Sequence, residues 1–322
     1  MSNTYLTNSQ FIESFGIEMA DAIDIYAERR KSGMKEDSLA VYDFIFISDT
    51  EKKLRSLGDF LYTNYNYKIE AIKAYSDYYE LNGNSIKFPV NEDNLIYWVL
   101  DLYCKGYEFD CVLDGYGAVS DWDNQEFLDI ENEDYNKYFK LSTSAYHNRN
   151  LGMAFIYLST AIKIYPKNPN CWYSRAIIRD ELYTWKSARQ DYDKAIELNP
   201  HFTDAIVNRA ANKDAAGEFA EAIVDYTAAI VLEPNNEMAY FNRGNSWFNL
   251  NNTKRACEDW HMAKKLGAEY AQQKISEHCI DITCLKPKPT PNYSLDNLTR
   301  LGKTIVKAMN NLLKALNKNG RV

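Results

Sequence analysis

At 322 residues the chain is long enough for roughly two or three domains, and its 46% hydrophobic and 25% charged content is ordinary for a soluble protein. No apolar run reaches the ~18 residues of a membrane span, and polar Met1–Gln10 lacks the basic-then-apolar pattern of a secretion signal; neither is expected, and a cytoplasmic location is the default expectation. The net charge of −8 divides unevenly: residues 1–134 hold 11 Lys+Arg against 27 Asp+Glu, a net of −16, and the remainder is +8. Such asymmetry points to charged partners or to attraction between the halves.

Residues 1–37 read as an N-terminal helical region. Phe11, Phe15, Met19, Ala22, Ile23 and Tyr26 recur at helical spacing, and Gly33 sits where a C-cap falls. This helix is expected to pack on a neighbouring domain, the alternative being a partner-binding helix. Ala40–Ser48, a β-branched and aromatic run, predicts a strand. Asp49 and Thr50 then cap a helix with Leu54, Leu57 and Leu61 on one face. Tyr67–Tyr79 alternates apolar and polar residues, and Leu81–Phe88 reads as a strand after a short turn. Asn91 caps a helix over Glu92–Lys105 with Gly106 as its stop, and Phe109–Val119 closes the set as a strand. Asp110 and Asp114 alternate onto one exposed face of that strand.

The order β-α-β-β-α-β over 38–121 is the split βαβ, ferredoxin-like arrangement. Here the chain resembles the regulator of ribonuclease E activity B, a ribonuclease E inhibitor family. The likeness lies in the opening Tyr42-Asp43-Phe44 strand, the element order and the closing Asp114-Gly115-Tyr116-Gly117, which the family uses as a turn. It implies inhibition of a ribonuclease. The next stretch, 122–134, is acidic enough to be a solvated linker.

From about Tyr135 the chain repeats with a step of 34. Ala176, Ala210 and Gly244 keep it, as do Ala188, Ala222 and Ala256, Ala195, Ala229 and Ala263, and the rings Tyr192, Tyr226 and Trp260. Pro166, Pro200 and Pro234 end successive units. A looser first copy has Ser142, Ala154, Leu158 and Ala161. A fixed period of this size marks a solenoid of helix pairs, and these columns resemble the tetratricopeptide repeat (TPR) family. Residues 135–268 hold four repeats, starting near Tyr135, Pro169, Thr203 and Glu237. The fold class is therefore an α+β ferredoxin-like domain followed by an all-α TPR solenoid. Arg175, Arg209 and Arg243 precede Asp191, Asp225 and Asp259 by sixteen residues, a spacing suited to charge-assisted bonds between the two helices of a pair.

Residues 269–284 read as a capping helix, 285–293 as a stiff Pro/Lys spacer and 294–322 as an amphipathic helix. Leu298, Leu301, Ile305, Met309, Leu312 and Leu316 form one face of the last, with Arg300, Lys303, Lys307, Lys314 and Lys318 largely elsewhere. Docking of this helix within the chain is expected. The six cysteines show no CxxC spacing and are expected as buried, reduced thiols.

No GxxxxGK[ST], GxGxxG, HExxH or GxSxG motif is present. The four histidines are spread through the repeats and the capping helix, as surface or packing residues. No catalytic residue, metal or cofactor is expected. The repeat resemblance implies that the first helix of each pair lines a groove. By repeat position Phe139, Thr143, Tyr146, Asn170, Tyr173, Ile177, Asp204, Val207, Phe241, Asn245, Phe248 and Asn249 would face it. Rings bury apolar groups and amides bond backbone, which suits a protein or peptide ligand. Asn208 and Asn242 lack the lysines of a carboxylate clamp. The expectation is a non-enzymatic adaptor, its acidic part binding a basic ribonuclease-type protein, with no direct nucleic acid and no membrane. The alternative is a hydrolase-type enzyme with its site on the N-terminal domain and the repeats as targeting module.

Overall fold

The computed structural model describes residues 5–118, 126–127 and 129–279. The spacer, the amphipathic helix, and residues 122–125 and 128 of the acidic linker lie outside the described residues, so the expected docking of 294–322 does too. The chain forms two compact units, Met1–Thr184 and Trp185–Val322. Their boundary falls between the two helices of the second repeat.

The first unit opens with α1, Asn8–Lys31. Thr7 and Gln10 form a capping box, each side chain bonding the other's backbone N–H, and Gly33 follows the C-cap with a φ of +99°. Phe11 stacks on Tyr103 at 5.0 Å, which fixes α1 against α3, Glu92–Glu108. Strand β1, Ser38–Ala40, runs into β2, Tyr42–Ser48. Alternation along β2 sends Tyr42, Phe44 and Phe46 inward, all fully buried, and leaves Asp43 exposed. Helix α2 is Glu51–Tyr65; β3, Lys68–Ile69, β4, Lys73–Ala74, β5, Tyr79–Asn84, and β6, Phe88–Val90, follow. Past α3 come β7, Val112–Ala118, and β8, Glu126–Phe127. The larger sheet is ordered β3-β5-β2-β7, with β4 also on β5 and every pair antiparallel. A three-stranded sheet, β6-β1-β8, flanks it.

Three expectations are corrected here. Gly106 does not stop α3, which continues to Glu108; a Cβ at Gly106 would stand 2.8 Å from the Cys111 carbonyl, so glycine serves close packing instead. Asp114-Gly115-Tyr116-Gly117 is not a turn: it lies within β7, with Gly115, Tyr116 and Gly117 opposite Ile45, Phe44 and Asp43 and the register shifting at Asp114. Asp110 does not share the exposed sheet face with Asp114. It precedes the strand in a left-handed conformation, φ +56°, accepts the Tyr5 and Leu6 N–H groups at 2.9 and 2.8 Å, and pairs with Lys53 at 2.8 Å.

The first helix pair, α4, Tyr135–His147, and α5, Leu151–Ile164, belongs to this same unit, as does α6, Pro169–Glu181. Gly152 lets α5 approach α3 so closely that an added Cβ would lie 3.0 Å from the Trp98 Cα. Tyr97 stacks on Phe155 at 3.7 Å. One apolar core therefore runs from the sheet through α3 into the first pair.

The second unit holds α7, Trp185–Leu198, α8, Thr203–Ala215, α9, Phe219–Leu232, α10, Glu237–Asn249, α11, Thr253–Lys265, and α12, Ala271–His278. The small-residue column is needed where pairs close: a Cβ on Gly244 would meet the Trp260 ring at 2.7 Å. Within this unit the expected arginine–aspartate bonds form. Arg209 grips Asp225 with Nε and Nη2, both at 2.8 Å, and Arg243 grips Asp259 at 2.8 and 2.7 Å. Each arginine also reaches sixteen residues back, Arg209 to Asp193 and Arg243 to Thr227, as Arg175 does to Ser159 in the first unit.

The cysteine expectation is corrected as well. Cys257 and Cys279 form a disulfide that ties the end of α12 to α11, while Cys104, Cys111 and Cys171 are free thiols. The capping helix is short, and of its apolar side chains Ala271 is buried and Ile275 half-buried, so little area holds it. Closing a loop of 22 residues restrains the unfolded chain by about 3 kcal/mol. Cys257→Ser should accordingly remove hydrogen-exchange protection from α12 and lower stability by that amount, as should a dithiol reductant on the unaltered chain. Undiminished protection in both experiments would show that apolar contacts alone hold the cap.

Candidate protein-binding faces

The first helices of the pairs are placed by their caps. Asp134, Asn168 and Asn236 each accept a backbone N–H of the helix that follows, which fixes the starts of α4, α6 and α10. Within the first unit the Tyr146 hydroxyl donates to the Glu181 carboxylate, joining α4 to α6. Within the second, the Ser246 hydroxyl donates to Asp214 at 2.8 Å, joining α10 to α8. The first helices are thus neighbours inside each unit.

On the first unit's face, Thr143, Tyr146 and Asn170 are exposed, and Phe139, Tyr173 and Ile177 are half-buried. Phe139 packs partly on the core, and the Thr143 hydroxyl donates to its carbonyl at 3.0 Å. Burial pushes the Tyr146 hydroxyl up to about 12, and the Glu181 carboxylate adds to the shift; the phenol keeps its proton and remains a donor at neutral pH. The second unit's face is less uniform. Asp204 and Asn249 are exposed and Phe241 is half-buried, edge-on to Tyr270 at 4.8 Å. Val207 is buried. Asn245 accepts the Trp260 indole N–H at 3.1 Å, and Phe248 lies against Trp260 and His278. These three side chains are committed to packing.

Two residues that the repeat positions did not bring forward stand out on this face: Met238 is 52% and Tyr270 53% exposed. Met238 is one repeat beyond Asp204, so the period itself marks it. Tyr270 lies beyond the last repeat, where no period applies.

Among the described residues, no group of three or more His, Cys, Asp or Glu is placed to hold a metal ion. No described helix is long and apolar enough to cross a membrane. A cavity of about 30 Å³ in the first unit is lined by Asp37, Pro89, Asn91, Asn94, Ile130 and Lys163 among others, and the buried Asn94 Oδ1 has no partner. Its size suits an ordered water rather than a substrate.

No family model matches the chain, and no curated protein matches it. Solved structures do. MamA covers 43% of this chain and 81% of its own length at 19% identity, TM-score 0.41. YrrB, described as a TPR protein with an unusual peptide-binding site, covers 55% and 82% at 18% identity, TM-score 0.42. The TPR domain of Arabidopsis OM64 covers 35% and 93% at 25% identity, TM-score 0.34. The described chain is a small-sheet region followed by repeated helix pairs, and two of these structures, YrrB and OM64, are described as TPR proteins.

Proposed function

We propose that this chain is a non-enzymatic adaptor that binds an extended or helical protein segment on the exposed faces of its first helices. The observation that carries this reading is the row Thr143, Tyr146, Asn170 and Tyr173 on α4 and α6. Rings there are left partly open to solvent next to amide and hydroxyl groups, and Tyr146 is held in place by Glu181. Such a surface buries apolar groups while bonding a ligand backbone. Exposed Met238 and Tyr270 support the same use of the second unit.

In the first unit, the order β3-β5-β2-β7 with helices after β2 and β6 supports a ferredoxin-like reading of residues 38–121. The resemblance to a ribonuclease inhibitor, and the net charge of −16 over residues 1–134, make a basic RNA-handling protein the partner of choice for that part. Such an association weakens as salt rises, because charges are screened over roughly 8 Å at physiological ionic strength.

The test is capture of partners from native lysate by the full chain, beside a Tyr146→Ala/Tyr173→Ala variant. A partner retained by the first and lost by the second, with folding unchanged by circular dichroism, is the expected result. Equal capture by both proteins removes the face from the function. Turnover on a hydrolase substrate panel, with or without divalent metal, would favour the enzyme alternative.

A further inference from the structure

We infer that these faces select a cationic segment with apolar anchors, one rich in lysine or arginine, over a segment that presents carboxylates. The inference rests on the proposed binding of a protein segment and adds the chemistry of the ligand.

The first helices sort their arginines from two of their carboxylates. Their arginines turn inward. Arg209 and Arg243 are clamped on Asp225 and Asp259 with side chains 19% and 16% exposed, and Lys213 joins Asp225 at 2.7 Å with 17% exposed. Arg175 lies over the Trp172 and Phe155 rings, and Arg179 is buried with its guanidinium over Tyr97 and Phe155. Two carboxylates at ligand-facing repeat positions, Glu181 and Asp204, are exposed, while Asp214, at the position of Phe248, is half-buried and bonded to Ser246 and Tyr226. The repeat positions of the twelve expected residues hold no lysine or arginine on α4, α6, α8 or α10. The first unit offers Glu181 at the hydroxyl of the exposed Tyr146 ring, and the second offers exposed Asp204 at a ligand-facing repeat position of the helices that carry half-buried Phe241. A carboxylate next to an aromatic face favours an ammonium or guanidinium group, by ion pairing and by attraction to the ring. The same surface repels a carboxylate-bearing segment.

The test uses the full chain and two labelled twelve-residue peptides, one alternating leucine with lysine, the other leucine with glutamate. Fluorescence anisotropy should show the lysine peptide binding and the glutamate peptide not. Glu181→Gln and Asp204→Asn should each weaken the lysine peptide about fivefold, the upper range for an exposed pair. Asp21→Asn with Asp24→Asn, on exposed positions of α1, should leave it unchanged, which separates these faces from the general acidity of the first 134 residues. Equal or tighter binding of the glutamate peptide overturns the inference. So does lysine-peptide binding that responds to the α1 pair and not to Glu181 and Asp204. If neither peptide binds, the charge selection is overturned; a lysate partner still lost on Tyr146→Ala/Tyr173→Ala would then leave the protein-binding reading standing.

Discussion

Asp101→Asn should make the protein more stable at pH 8, by up to about 4 kcal/mol, and should leave its stability at pH 4 nearly unchanged. Asp101 is 2% exposed on α3, where Gly152 brings α5 against it. Burial pushes its carboxyl up from 3.8 to about 7, while Lys105, the Gly152 amide and the Tyr65 hydroxyl, 3.2 Å away, pull it down. Between pH ~4 and ~7 the folded chain holds a proton that the unfolded chain has lost. This group's contribution to stability therefore falls as pH rises through that window, and it is most costly above pH 7. Asparagine keeps an acceptor for the Gly152 amide and the Tyr65 hydroxyl and carries no charge to desolvate. Urea denaturation at pH 4, 6 and 8 measures the difference. A variant less stable than the parent at pH 8 would show that Lys105 holds Asp101 ionised at a net gain. Glu18, also pushed up to about 7 by burial, adds a slope of the same sign, so Glu18→Gln belongs beside it as a control.

Arg243→Ala should cost about 3–5 kcal/mol, because it leaves Asp259 in the core without its bidentate partner. Asp259 is 7% exposed, and burial raises its carboxyl even with Arg243 in place. Arg209→Ala should cost less, about 1–3 kcal/mol, since Lys213 still bonds Asp225. The double variant Arg243→Ala/Asp259→Ala should lose less than the two single losses combined. Additive losses within about 0.5 kcal/mol would mean that the fork contributes no coupling.

The helical half was legible because the period repeats its own evidence. The first helices begin at Tyr135, Pro169, Thr203 and Glu237, the four positions at which the step of 34 places the repeat starts. Each boundary is set by several columns at once, so one ambiguous residue does not shift it. The residues of the candidate faces were legible by position but not by state. Whether Asn245 meets a ligand or holds the Trp260 indole depends on α11, fifteen residues on, and no local pattern carries that. The same holds for Cys257 and Cys279, which meet only because α12 folds back over the last pair. In the first unit, strands of two or three residues such as β3 and β6 are too short for alternation to mark their ends. Asp110 was misplaced on a strand because its left-handed backbone is invisible to alternation.

Hydrogen exchange of the full chain, free and saturated with the partner recovered from lysate, bears on the protein-binding reading itself. Slowed exchange should appear in α4 and α6 over 139–146 and 170–177, and around 238–241 in α10, with the second helices of the pairs unchanged. Slowing confined to residues 5–118, with α4, α6 and α10 untouched, would place the partner elsewhere and contradict the assignment of the first-helix faces.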